Sequence, residues 1–495
     1  MIFLVELHLM QSQSNMKKAE ISIYLALTLG IVLSLVLTLV EGARQSAIKM
    51  QIECVTDMGL HSVFAEYHRE LLSQYDLFFI DTSYGREFPS LANTEQHLNS
   101  FMEYNFNPAM LLFTFQVKDW LSIYTQNLSF SEYSIATDEK GNVVKRQILQ
   151  YMRDKYLIND FIQANENKRL VTDNHLHETN ISSEKQRLRD QINAEMSERN
   201  IRENEDNTDN TVEIPSDQVN QVKGMSLIPY IITSQEKVSR KLINPTEYVS
   251  GRELLIGTGI PKIHQEDFNA QDEIFIGEYL IEKCGYYLKE KEKSNAVLKY
   301  QLEYILAGKG NDYDNLSLIA NRLLLMREAS NMMYLWSNSA KSAEAETAAA
   351  MISAIALIPE AEPAIKQLIL LTWATAESIC DLKVLYKGGK VPIMKSDQTW
   401  QLSFLQFCLG VTSSDQNQRN STGQGYLDYL RILLLMQSPE EKMMRFFDVM
   451  EMDIRNTEDN ENFQLDGCLD SLTMEAIFKS HYGYQYSIKR FYSYE

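Results

Sequence analysis

The sequence predicts an α+β fold, predominantly helical. An N-terminal transmembrane helix continues into a long helix, followed by a small antiparallel sheet and a helical main domain. Three observations carry this. Ile21 to Val40 runs without a charge for about 20 residues, the length that spans a bilayer core as a helix. Ile48, Ile52, Val55, Gly59, Val63, Tyr67 and Leu71 then recur at helical spacing, the pattern of one apolar helix face. Two short stretches, "YDLFFIDTSYG" and "HYGYQYSIKRFYSYE", carry the aromatic and β-branched residues of strands.

The opening span decides between a cleaved signal and a retained anchor. A secretory signal has a shorter apolar region, roughly 7–15 residues, closed by small residues at the cut. A cut after Ala43 would place Glu41 where a small residue is wanted. The span therefore reads as an uncleaved anchor, with Ile21, Leu25, Leu29, Leu33, Leu37 and Val40 facing lipid. Lys17 and Lys18 flank its N-terminal side, which favours a cytoplasmic N-terminus and an extracellular body at the cell membrane. Residues 1–15 look unlike the rest of such a leader, and Met16 followed by two lysines is the more natural start.

The expected order is a cytoplasmic tip and anchor over 16–44, and a long helix with a membrane-proximal α+β region over 45–164. A polar linker or partly helical insertion takes 165–224, and a mainly helical domain with a C-terminal strand takes 225–495. The long helix is expected to reach about Tyr75, and "YDLFFIDTSYG" to give a buried strand and a turn. "FSEYSIATDEKGNVVKRQILQYMR" reads as a hairpin around Glu139 to Asn142, leading into a helix near Gln147 to Phe161. The linker is crowded with Asn, Glu, Asp, Gln and Ser and buries too little apolar surface to offset its ordering entropy. In the main domain, "NLSLIANRLLLMREASNMMYLW" shows a stripe of Leu316, Ile319, Leu323, Met326, Ser330 and Met333. A pair of apolar helices is hinged at Pro359 to Pro363, and Lys366 and Glu377 argue against a second membrane hairpin there. Ser438, Pro439 and Glu441 read as a capping box. The C-terminus reads as a strand from Tyr482 to Tyr486, expected beside the strand near Phe78.

Composition excludes some function classes. Hydrophobic residues make up 44% of 495 residues, enough for a sizeable core. The net charge of −20 argues against nucleic acid, which needs clustered Lys and Arg, and against the folded part lying on an anionic membrane surface. Five cysteines, none in a CxxC pair, fit neither a zinc site nor a disulfide framework.

No cofactor or metal motif stands out, and none is expected. "GTG" at Gly257–Gly259 and "GKG" at Gly308–Gly310 are fragments of phosphate-loop patterns, outside a strand-to-helix setting. Gly310 reads as a turn, with Asp314 or Asn315 capping the next helix. His61 and His68 share a helix face near Glu66 and Glu70 but lack HExxH, so an exposed helix surface is the simpler reading. His175 and His177 fall in the polar linker.

"WATAESICD" places Glu377 and Asp381 one turn apart beside Trp373. Carboxylates among apolar residues can acquire raised pKa values and serve as acid or base. The simpler reading pairs Glu377 with an Arg, or has it cap backbone such as that around "YKGGKVP". Glu41 and Arg44, just past the span, join Glu377 and Asp381 as the candidate interaction or structural polar residues. Gly388 and Gly389 end the helix and permit the turn into Val391-Pro392. The 26 tyrosines suit protein contacts and small sheets alike.

The segments "KKAEISIYLALTL…LVEGAR", "FAEYHRELLSQYDLFFIDTSYG", "LEYILAGKGND", "NRLLLMREASN", "WATAESICDLKVLYKGGKVPIMK" and "YLDYLRILLLM" resemble a family of uncharacterised membrane proteins of low-GC Gram-positive bacteria. That family has a domain of unknown function and is often associated with tight-adherence (Tad) pilus genes. The anchor also looks like the N-terminus of TadE- and TadG-type minor pilins and pseudopilins. This resemblance implies no catalytic residues. It implies a single-pass protein serving assembly or anchoring of a Tad-like appendage, with pilus or secretion machinery as partner. Processed prepilins have a Gly before the cut and a Glu at the fifth position after it. Here Ala19-Glu20 opens the run, so a retained anchor fits better than a shaft subunit. The competing expectations are an anchored extracellular enzyme acting on envelope material, with Glu377 and Asp381 as its first candidates, and a ligand-sensing ectodomain.

Overall fold

A computed structural model describes residues 2–106, 121–155, 162–176, 181–203, 227–232, 238–259, 268–289, 295–410 and 422–494. The fold is mostly helical with small antiparallel sheets, as expected. α1 (Ile2–Phe64) carries the apolar span. Its described stretch from Glu20 to Phe64 has 45 residues, about 68 Å at 1.5 Å per residue. Every large apolar side chain from Ile21 to Val40 is exposed. Among the described residues, no other helix is long and apolar enough to cross a membrane.

α1 stops at Phe64, short of the expected Tyr75. The chain leaves the helix because the His68 N–H donates to Phe79 O at 2.8 Å, and a new helix starts there. This is α2 (Arg69–Tyr75), capped by His68, whose Nδ1 accepts from Leu71 N–H. The buried run Leu77, Phe79 and Ile80 leads into β1 (Ile80–Asp81) and a turn. α3 (Leu91–Phe106) folds back on α1, with Leu98 and Met102 against Gly59.

The expected hairpin around Glu139 is corrected. β2 (Ile123–Ile135) leads directly into α4 (Asp138–Lys155). Glu139, Lys140 and Gly141 are left-handed, so the turn chemistry is present but opens a helix. Gly141 has φ +84, and a Cβ there would meet the Phe447 ring at 2.4 Å. Residues 156–161, the end of the expected helix, lie outside the described residues. α5 (Ile162–Asp173) and α6 (Ile181–Glu203) follow within the polar segment. α6 buries Ile181, Lys185, Leu188 and Ile192, because one turn-spaced face packs on the helical body. Residues 177–180 and 204–226, with His177, are not among those described.

The body continues with α7 (Ile228–Ile231), α8 (Ala270–Lys283), α9 (Gln301–Ala307) and α10 (Asp312–Ser337). α11 (Ser339–Ile355) and α12 (Glu362–Tyr386) are hinged by a short 3-10 turn at Pro359–Ala361, as expected. α10 buries Leu316, Ile319, Leu323, Met326 and Ser330 of its predicted stripe against α12, while Met333, the last of the stripe, is only half-buried. Its cap is Asn311, whose Oδ1 accepts from Asp314 N–H at 2.7 Å, rather than Asp314 or Asn315. Asn315 instead holds the preceding turn, accepting from Lys309 N–H at 2.7 Å. α12 ends at the predicted glycines: Gly388 has φ +83 and its N–H reaches Leu385 O. β3 (Lys390–Val391) and β4 (Gln424–Gly425) pair beyond it, with α13 (Phe404–Cys408) between them. α14 (Tyr426–Met436) and α15 (Pro439–Arg455) complete the body. Pro439 opens α15 as predicted, but the Ser438 side chain makes no capping bond. Glu441 pairs with Arg445 instead, at 3.3 Å.

β5 (Cys468–Ser480) and β6 (Gln485–Ser493) close the chain. β5 is the central strand, and the sequence reading does not assign it. It pairs antiparallel with β2 (Ile123↔Ser480 through Ile135↔Leu469), with β1 (Ile80↔Leu469) and with β6 (Lys479↔Gln485 through Ser471↔Ser493). The C-terminal strand therefore starts at Gln485, not Tyr482, and lies beside β5 rather than beside the Phe78 segment. Tyr482 to Tyr484 form the hairpin turn, with Gly483 at φ +88. Leu472, Met474, Ala476 and Phe478 of β5 are buried in a core with Ile48, Ile52, Val55, Leu98 and Met102. A second, larger core fills the helical body.

Candidate functional site

The predicted polar residues fall into two places. Glu377 and Asp381 point from α12 into the packing between α10, α14 and the loop after β3. Both are fully buried. Lys395, from that loop, places its ammonium 2.6 Å from Glu377 Oε1, 2.7 Å from Asp381 Oδ1 and 2.9 Å from Thr399 O. These partners use all three donors of an ammonium. Glu377 also accepts from the backbone N–H groups of Gln401 and Leu402, each at 2.9 Å. Asp381 accepts from Arg327 Nε at 3.0 Å, from Asn331 Nδ2 at 3.1 Å and from Gln401 Nε2 at 2.9 Å.

Arg327 is the other half of the arrangement. Its Nη1 donates to Pro392 O, Ile393 O and Tyr429 Oη at 2.8–3.0 Å. Two cations thus face two carboxylates in the interior. Burial pushes the Glu377 carboxyl above its usual range. Burial pushes Asp381 the same way, but Lys395 and Arg327 outweigh it and hold that carboxyl below its usual range. Cys380 is inert beside them, its thiol pushed up to about 12 by burial and the neighbouring carboxylates. The arrangement ties backbone at Pro392–Ile393 and Thr399–Leu402 to the two central helices. It is a cross-link whose Glu377, Asp381 and Lys395 side chains are sealed from solvent. The expected backbone contact around "YKGGKVP" is made by Arg327, while Glu377 caps backbone farther along the same loop.

The sequence reading misses Arg327 and Lys395. One signal was available: Arg327 sits one residue from Met326 and four from Leu323, inside the stripe read as buried.

Glu41 and Arg44 pair with each other at 2.9 Å on α1. The Arg44 guanidinium also lies 4.3 Å from the centre of the Tyr482 ring. This is the first of several contacts between α1 and the C-terminal hairpin. Tyr486 Oη donates to Gln45 O (3.4 Å), Arg490 Nε lies 3.2 Å from Asp57, Tyr492 Oη lies 2.6 Å from His61 Nδ1, and Tyr494 Oη donates to Phe64 O (2.5 Å). The odd and even residues of a strand point to opposite faces, so these even-numbered side chains form one row along α1.

His61 and His68 do not share a site. His68 Nε2 lies 2.9 Å from Asn460 Oδ1, and Glu66 turns to His97 at 3.1 Å. Among the described residues, no group of three or more His, Cys, Asp or Glu side chains is placed to hold a metal ion. None of the five cysteines is in a disulfide. The Gly257–Gly259 segment covers the β2 edge: Thr258 N–H donates to Tyr133 O at 2.9 Å, and Gly257 N–H to Asp138 Oδ1 at 2.8 Å. A pocket of about 360 Å³ lies between α10, α14 and the start of α15, lined by Arg322, Leu325, Met436 and Ser438 among others. It is separate from the buried charges.

No curated protein and no solved structure matches the chain. Residues 205–480, from before α7 through β5, match a family described only as of unknown function. That region holds the sealed charge network and the central strand, and it covers more than half of the sequence: the chain belongs to the DUF5702 family.

Proposed function

We propose that this protein is a single-pass membrane protein that keeps α1 as its anchor and holds its body outside the cytoplasm. In this reading it acts without catalysis, in assembly or anchoring of a Tad-like pilus or surface-secretion system. The observation that supports it is the continuity of α1. One unbroken helix carries the exposed apolar span and then, about two to just over three turns beyond Val40, buries Ile48 and Ile52 in the sheet core. A cut after Ala43 would fall inside that helix, next to an Arg44 already seated on Tyr482. An anchor built into its domain in this way is suited to hold the body at a fixed height over the bilayer. The non-enzymatic part of the reading is supported by Glu377 and Asp381, the acid–base candidates, being consumed in the cross-link.

The test is to determine the mature N-terminus of the native membrane protein by mass spectrometry and to probe the body with external protease. The expected result is an intact Met16-type N-terminus with an accessible body, whereas cleavage near Ala19 would place the protein among pilin-like filament subunits. Cleavage near Ala43 would make it a secreted protein. Deleting the gene should alter surface filaments or secretion, and unchanged filaments and secretion would remove the assembly role.

A further inference from the structure

The C-terminal hairpin turn lies at a depth that α1 itself measures. The exposed apolar stripe ends at Val40. Arg44 follows four residues later, about 6 Å along an unbroken helix at 1.5 Å per residue. A bilayer of about 40–45 Å with a 30 Å hydrocarbon core leaves roughly 5–7 Å of headgroup on each side. Arg44 therefore stands at headgroup level when Ile21 to Val40 fill the core.

The hairpin is held to that level by direct contacts. The Tyr482 ring lies under the Arg44 guanidinium at 4.3 Å, and Tyr486 bonds the backbone of Gln45. The turn is itself rigid: Ser480 N–H reaches Tyr484 O at 2.9 Å, and His481 N–H reaches Ser122 O at 3.0 Å. Tyr482 remains 46% exposed and Tyr124, across the sheet opposite Lys479, 51%. This end of the sheet thus offers two exposed phenols with Arg44, Lys479 and His481 around them. Tyrosine rings suit the bilayer interface, with an apolar body and a polar tip, and basic side chains suit phosphate. Arg44 and Lys479 bring positive charge to this end of a chain whose net charge is −20, with Glu41 paired to Arg44 at 2.9 Å.

We propose that the turn between β5 and β6 rests in the headgroup layer of the membrane that α1 crosses, with Tyr482 at the interface and Arg44 and Lys479 binding phospholipid phosphate. This rests on the anchor reading above. It gives the body a second, lateral foothold, so that a single helix does not let it swing freely.

The experiment uses the full chain in lipid nanodiscs containing phosphatidylcholine and phosphatidylglycerol. In a Cys54→Ser, Cys408→Ser background, Tyr482→Cys and Ser493→Cys are each labelled with an environment-sensitive fluorophore. Ser493 lies at the far end of β6, about 26 Å from the turn at 3.3 Å per residue. Liposome flotation of each variant reports membrane insertion independently. The expected result is flotation of both, with the label at 482 losing most of its emission to lipid carrying a headgroup nitroxide and the label at 493 losing none. Arg44→Ala with Lys479→Ala should reduce that loss. Flotation with the label at 482 unquenched by lipid and open to aqueous iodide overturns the proposal while sparing the anchor. A label at 482 shielded from iodide yet unquenched by lipid overturns it in favour of a protein contact. Failure to float overturns the anchor and this proposal together.

Discussion

The Lys395 ammonium stands 2.7 Å from the Asp381 carboxylate, and both side chains are sealed from solvent. Glu377, at 2.6 Å, shares the same ammonium. Removing one partner of such a set strands a buried charge, which typically costs about 3–5 kcal/mol. Lys395→Met is therefore expected to lower the unfolding free energy by that order. Lys395→Met combined with Glu377→Gln should recover part of the loss, because a neutral amide replaces the stranded carboxylate. A chemical denaturation series with an unchanged slope would measure both.

Glu303 on α9 is fully buried, accepts from Tyr287 N–H and Tyr426 Oη through Oε1, and has its carboxyl pushed up to about 7 by burial. The folded value lies above the unfolded one, so the folded state holds this proton more tightly. Its contribution is complete below about pH 4.5 and is lost as pH rises through about 7, a span worth about 3 kcal/mol. Glu303→Gln should flatten that part of the stability profile, read as melting temperature between pH 4.5 and 8.

Gly141 combines φ +84 with the Phe447 ring at the position of a Cβ. Gly141→Ala adds left-handed strain of about 1–2 kcal/mol to overpacking of about 1–3 kcal/mol. Gly141→Ala should therefore lower stability clearly, whereas Gly85→Ala, where a Cβ meets no atom within 4 Å, should cost only the strain. Paired melting curves would separate the two.

Cys54 and Cys408 are exposed, and Cys284, Cys380 and Cys468 are buried. A thiol reagent should titrate the first two quickly in native protein and the other three only after denaturation. Cys380 and Cys468, whose thiols burial holds above their usual range, should be slowest.

Tyr494 and Tyr492 fasten the C-terminal strand to α1 through Phe64 O and His61. Tyr494→Phe should cost about 1 kcal/mol, the usual net worth of one hydrogen bond. It should also raise hydrogen exchange at the end of β6 before it affects the helical body.

The parts legible in the sequence are those that a local pattern specifies. The buried stripe on α10 is one, the Pro359–Pro363 hinge another, and the glycine stop at Gly388 a third. Each rests on periodicity or on a residue's own backbone preference. The misses have separate causes. "DEKGN" has the chemistry of a turn, and a turn can lead into a strand or a helix. The Ser438 capping box does not form, and Glu441 pairs with Arg445, a partner one turn further along the helix. β5 escapes notice because its first half is buried on both faces, which removes the alternation that marks a half-buried strand.

By itself the sequence determined that one span of about 20 uncharged residues opens the chain, and that a mainly helical body follows. Length, apolarity and helical period are properties of contiguous residues, and no fold is needed to read them. Only the tertiary structure decided that Glu377 and Asp381 answer to Arg327 and Lys395, and that Tyr482 meets Arg44. Those partners lie 14 to 438 residues apart in the chain. Their pairing depends on which faces of which elements are brought together, and for the four buried side chains, Arg327, Glu377, Asp381 and Lys395, the free energy of burying charge makes the pairing obligatory once the fold is formed.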